Sequence, residues 1–129
     1  MQTGGAPLRE DGAVACPDQL LAARTRVLHD LEATGLATAD VVSLLEDAVA
    51  ERRWWVAQWP AGAAYVVGLV AQDVQDRLLD QAGRWPTCEQ HDEEPLVVEP
   101  ELGEDPTWVC NQACGVVAPV GALPRRTFA

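Results

Sequence analysis

Trp85-Pro86-Thr87-Cys88-Glu89-Gln90-His91 is followed, after residues 92–109, by Cys110-Asn111-Gln112-Ala113-Cys114-Gly115. Three of the four cysteines and one of the two histidines fall in these two short runs. Cys88 and His91 are spaced so that one tight turn can grip a single point from two sides. Cys110 and Cys114 are slightly wider but usable. The segment between the pairs fits a β-hairpin that returns the second pair to the first. Gly115 directly follows the last cysteine, where such a turn needs a left-handed backbone that glycine adopts without strain. Around these runs the sequence reads as short strands over Glu94–Leu102, Thr107–Asn111 and Val116–Leu123, with a turn at Gly103-Glu104-Asp105-Pro106. Leu96, Val98 and Trp108 are the expected inner face of this sheet.

Working back towards the N-terminus, the period changes from that of strands to that of helices. Pro17 suits the first turn of a helix on which Leu20, Ala23, Val27 and Leu31 recur, and Gly35 ends it. Thr38 caps a second helix with Asp40 in its first turn. Val41, Leu45, Ala48, Val49, Arg52, Val56 and Trp59 trace one face of it, and Pro60 closes it. A third segment starts at Gly62 and ends at Gly83. It carries Ala63, Tyr65, Val66, Val67, Leu69, Val70, Val74, Leu78 and Leu79, and its first half is apolar nearly all round, as in a buried helix. The predicted fold class is α+β: an N-terminal three-helix bundle over residues 16–84, then a small three-stranded antiparallel sheet over residues 85–123. Residues 1–15 and 124–129 read as tails.

Cysteine thiolates and imidazole suit a tetrahedral divalent metal. With the ligand spacing C-x2-H and C-x3-C-G, residues 85–123 resemble a divergent member of the zinc-ribbon group. The matching positions are Cys88, His91, Cys110, Cys114 and Gly115, with Trp108 on the strand entering the second turn. The resemblance implies a structural Zn(II) held by Cys88, His91, Cys110 and Cys114. The competing readings are a ribbon-like hairpin without metal, unrelated core cysteines, and a Cys110–Cys114 disulfide. Glu89, Asp92, Glu93 and Glu94 lie beside the first pair, as a solvated face or as acceptors for the His91 ring.

The 129 residues carry a net charge of −11, contain no Lys and no Ile, and use Arg for all nine basic positions. This composition is that of a GC-rich genome, bacterial or phage. The acidity opposes direct binding to nucleic acid or to an anionic membrane. No leader-like N-terminus or membrane-length apolar run is visible, which predicts a cytoplasmic protein, or a virion-associated one if phage-encoded.

Little catalytic material remains outside the cluster. Cys16 and His29 lie on one predicted helix, nearly 20 Å apart at ~1.5 Å per residue, too far to form a pair. Ser43 lacks a nucleophile elbow, and there is no glycine-rich phosphate loop. The sequence therefore predicts a non-enzymatic protein-interaction module or accessory subunit of a larger assembly, stabilised by structural zinc. The alternative is a transcription- or nucleic-acid-linked regulator that works through a protein partner or as an acidic DNA mimic. Trp54, Trp55 and Trp59 are the candidate partner-binding residues; the other reading of this cluster is a hydrophobic seam between bundle and ribbon.

Overall fold

The computed structural model describes residues 16–126, apart from the side chains of Cys16, Pro17, Asp18, Asp92 and Glu93. The expected tail over residues 1–15, the Cys16 thiol and the last residues of the 124–129 tail lie outside this description. The first helix, α1 (Cys16–Ala33), ends in a capping turn in which the Leu36 N–H bonds the Leu31 carbonyl at 2.8 Å. Thr38 caps α2 (Ala39–Gln58), its hydroxyl accepting the Val41 N–H at 3.3 Å. Pro60 stops α2 and opens a 3-10 turn, Pro60–Tyr65, before α3 (Val66–Leu78). The third helix thus begins later than its spacing predicts. The intervening turn is shaped by Gly62, where a Cβ would lie 2.6 Å from the Trp55 ring.

The helical faces follow the apolar spacing. Leu20, Ala23, Val27 and Leu31 of α1 are buried, as are Val41, Leu45, Ala48, Val49 and Val56 of α2 and Val66, Val70, Val74 and Leu78 of α3. Each helix packs on the other two.

The C-terminal part forms two antiparallel sheets where one was expected. A two-stranded hairpin joins β1 (Thr87–Cys88) to β2 (His91–Pro95). A three-stranded sheet has the order β3 (Val97–Glu99), β4 (Thr107–Cys110), β5 (Gly115–Pro119). The expected strand Glu94–Leu102 is therefore split between the two sheets. Buried Leu96 sits at the break, with its N–H on the Pro86 carbonyl at 2.8 Å.

One continuous apolar core runs from the helices into the sheets and takes in Trp85, Leu96, Val98, Trp108 and Val120. Gly68 lets α3 lie directly on β3; a Cβ there would stand 3.3 Å from the side chains of Val98 and Pro106. Gly121 performs the corresponding task against α1. Its φ is +99°, and a Cβ would fall 2.6 Å from the Arg26 Cβ and 3.1 Å from its Cα. Gly121→Ala therefore combines left-handed strain with a collision against helix backbone. Its expected cost is about 2–3 kcal/mol, read from denaturant unfolding. Gly115→Ala serves as the control: φ is +68° there, but nothing lies within 4 Å of the added Cβ. Only the backbone term of about 1–2 kcal/mol is expected.

Among the described residues, no helix is long and apolar enough to cross a membrane.

Candidate metal centre

Each of the two residue pairs sits at the end of a hairpin. Cys88 and His91 are register partners that close the β1–β2 turn. Residues opposite one another in an antiparallel pair project to the same face, so the two-residue turn aims both side chains at one point. Cys110 is the partner of Gly115 and closes the β4–β5 hairpin, with Cys114 inside its turn. The positive φ of Gly115 reverses the chain there, as the sequence predicts.

Two tryptophans fix these hairpins to the helices. Trp85, just before the first pair, donates its indole N–H to the Thr34 hydroxyl at 2.9 Å. Trp108, just before Cys110, donates its own to the Asp30 carboxylate at 2.7 Å. Asp30 and Thr34 are one turn apart on α1, and the two indoles meet edge to face with centroids 5.5 Å apart. Asp30 is fully buried. Besides the Trp108 indole it accepts the N–H of Gly121 at 2.7 Å and of Leu123 at 3.0 Å, and faces His29 Nδ1 at 2.9 Å. From α3, the Gln75 amide donates to the carbonyls of Trp85 (3.1 Å) and Leu96 (2.8 Å), bracketing the first hairpin. Arg126 ties the C-terminal segment down: its backbone N–H bonds the Ala33 carbonyl at 2.8 Å, and its guanidinium donates to the Thr87 carbonyl.

Asp30 belongs to no motif in the sequence, although its position carries a signal. It falls three residues after Val27, on the apolar stripe of α1, where a charge demands buried partners. The seam between helices and sheets is built by Trp85 and Trp108, not by the Trp54–Trp55–Trp59 cluster. Trp54 and Trp59 are 67% and 45% exposed, and Trp55 is half-buried.

The two hairpins bring Cys88, His91, Cys110 and Cys114 together, with one ligand atom from each within 4.8 Å of the others. His91 Nδ1 lies 3.4, 3.5 and 3.7 Å from the sulfurs of Cys88, Cys110 and Cys114, and the Cys88 and Cys114 sulfurs are 3.5 Å apart. A tetrahedral ion with metal–sulfur bonds near 2.3 Å and metal–nitrogen bonds near 2.0 Å has ligand–ligand edges of about 3.5–3.8 Å. The measured edges fit that frame. Cys88, Cys110 and Cys114 are free thiols, and the 3.5 Å sulfur separation is far beyond a disulfide bond.

The backbone is arranged for thiolates. Burial opposes ionisation of Cys110, but the N–H groups of Cys114, Gln112 and Ala113 converge on its sulfur and bring the thiol from 9.0 down to about 6. Burial also opposes ionisation of Cys88; the His91 ring and the Gln90 N–H outweigh it, and this thiol too lies below its ordinary value. Cys114 goes the other way. Its hydrogen bond to Cys88, its desolvation and the neighbouring sulfur charges push it up to about 11. His91 is raised, chiefly by its bond to the Cys88 sulfur. By itself the cluster favours thiolate at Cys110 and Cys88 and opposes it at Cys114.

Cys88 and Cys110 are buried, whereas Cys114 is exposed. It borders a hollow of about 220 Å³ walled in part by Val116, Val117, Leu123 and Arg126. Of the acidic residues near the first pair, Glu94 accepts the Gln112 amide at 3.1 Å, and Glu89 lies 3.8 Å from the Arg126 guanidinium. The side chains of Asp92 and Glu93 are outside the described residues.

Fold and site together define a small α+β protein with a preassembled Cys3His cluster able to hold a metal ion. The chain belongs to the family described as a domain of unknown function, DUF8819, which its residues 16–120 match. That span takes in all three helices and all four cluster residues. The chain matches no curated protein and no solved structure.

Proposed function

We propose that the Cys3His cluster binds a structural Zn(II) ion, and that the chain is a non-enzymatic protein-interaction module or accessory subunit whose shape this ion sets. The observation that carries the metal reading is the convergence of four soft ligand atoms, with backbone amides already aimed at the Cys110 sulfur. A divalent cation supplies the charge that the third thiolate lacks. Three sulfurs and one nitrogen suit zinc. Four protein ligands fill a tetrahedral ion and leave no position for water or substrate, which argues for a structural role and against zinc-dependent catalysis. The net charge of −11 argues against direct contact with nucleic acid and for a protein partner.

Zinc affinity is expected to rise with pH, with the following sign. Cys110, at about 6, is largely thiolate near neutrality and gives up little on binding. Cys114, at about 11, is still protonated there, so zinc must displace that proton. Affinity therefore increases by about tenfold or more per pH unit across the neutral range, and falls on acidification. Competition against a colorimetric chelator at three pH values measures the slope; a flat profile would contradict the ligand set.

The interaction reading is tested by quantitative capture from native extract with zinc-loaded protein. A protein recovered near one-to-one and lost with Trp54→Ala supports it. Recovery of salt-sensitive nucleic acid in place of a protein contradicts it.

A further inference from the structure

The tryptophans near the end of α2 surround a second feature, remote in sequence from the cluster residues. A hollow of about 380 Å³ is lined by Glu51, Arg52, Trp54, Trp55 and Asp73. Inside it, Arg52 already shows which chemistry these walls accept. Its guanidinium carbon stands 5.1 Å from the centre of the Trp55 ring, while Asp73 grips it through two bonds of 2.7 and 2.9 Å. Cation over indole, with a carboxylate taking up the charge, is thus satisfied once within the chain.

The neighbouring indole has no such cover. Trp54 is 67% exposed, and beside it stands Glu51, whose side chain is 69% exposed even though one oxygen contacts Arg77 at 2.7 Å. Asp73 pairs with Arg52 and Glu51 with Arg77, so the charges about the hollow balance locally, in a chain whose net charge is −11. An apolar floor, a free indole and the exposed Glu51 carboxylate, on an acidic chain, are complementary to a side chain that is flat, cationic and partly apolar.

We propose that this hollow receives an arginine side chain from a basic segment of a partner protein, its guanidinium against the Trp54 indole and its charge answered by Glu51. The inference names the partner chemistry for the interaction module proposed above and rests on that reading. Arginine is preferred over lysine because a planar guanidinium stacks on an indole as Arg52 does.

The test uses indole N–H signals in nitrogen–proton correlation spectra of the zinc-loaded full chain. The five tryptophans give five probes. The probe ligand is an acetylated, amidated Gly-Gly-Arg-Gly-Gly peptide, with lysine and citrulline versions alongside. On titration to about 10 mM, within the millimolar range expected of one weak contact, the Trp54 and Trp55 signals should move and saturate. Those of Trp85 and Trp108, hydrogen-bonded in the core, should stay fixed. Citrulline, which keeps the shape and loses the charge, should bind about tenfold more weakly or worse. Glu51→Gln should weaken arginine binding several-fold, and Trp54→Ala should abolish the Trp55 shift while leaving the Trp85 and Trp108 signals in place.

Equal shifts with citrulline overturn the proposal in favour of a merely apolar hollow. Shifts that track protein concentration alone overturn it in favour of a second copy of the chain, and no shift at the top concentration overturns it outright. Capture of a partner that binds the Glu51→Gln protein unchanged would retain the interaction reading and remove the arginine.

Discussion

Asp30→Ala is expected to lower the stability of the protein by about 3–5 kcal/mol, the range for removing one partner from a buried charged network. The change strands the Trp108 indole N–H and the backbone N–H groups of Gly121 and Leu123, all of which bond this carboxylate. It also opens a void where a fully buried side chain stood. For a chain of this size the loss corresponds to a fall in Tm of roughly 10–20 °C. Asp30→Asn keeps the volume but turns an amide N–H towards groups that are themselves donors, so about 1–3 kcal/mol is expected. Thermal unfolding of the two variants, followed by near-ultraviolet dichroism of the tryptophans, measures both. An Asp30→Ala protein within 1 kcal/mol of the original would show that α1 does not hold the sheets through this residue. The effect should also extend to the ligand cluster, because Trp108 shares β4 with Cys110.

The second large effect is that of breaking the cluster. Metal binding is linked to folding wherever the site is incomplete in the unfolded chain. Cys110→Ser removes the sulfur on which three backbone amides converge. The expected outcome is loss of stoichiometric zinc and opening of both hairpins, while α1–α3 keep their helical signal. The helices have their own buried faces, so removing the ion should separate the molecule into a folded bundle and loosened sheets. Hydrogen exchange in chelator-treated protein reads this directly: amides of β1, β2 and the 111–115 turn lose protection, and those of α3 retain it. Uniform loss of protection across the chain would show instead that the ion supports the whole core.

The contrast between these two experiments indicates what was legible in the sequence. Helical spacing located nearly every buried residue of α1, α2 and α3, since a period of 3.6 leaves a visible stripe. The Cys/His cluster was legible for the same kind of reason: two close pairs and a glycine are local patterns, and the hairpins bring them together. The joint between helices and sheets was not. It depends on Asp30 meeting Trp108 and Thr34 meeting Trp85, contacts between residues far apart in the chain. A charged residue is ordinarily read as solvated, which concealed Asp30. Local clustering drew attention to Trp54, Trp55 and Trp59, whereas the two tryptophans that close the seam stand alone in sequence. The β1–β2 hairpin escaped because its first strand is only two residues long, Thr87–Cys88, too short to show alternation.

These observations give one account of the chain. A polar ladder on α1, Asp30 and Thr34, receives two indoles. Each indole sets the hairpin that carries one Cys/His or Cys/Cys pair, and the pairs meet in a cluster able to hold one ion. The surface left free by this arrangement is acidic and bears exposed tryptophan on α2, away from the indoles that fasten the sheets.

The most direct test is the zinc content of freshly purified protein that has never met a chelator, measured by elemental analysis beside Cys88→Ser and Cys110→Ser variants. The account predicts about one equivalent in the original chain and a large loss in both variants, as for a four-ligand structural site. Less than about a third of an equivalent in the original, or full zinc in the variants, would contradict it.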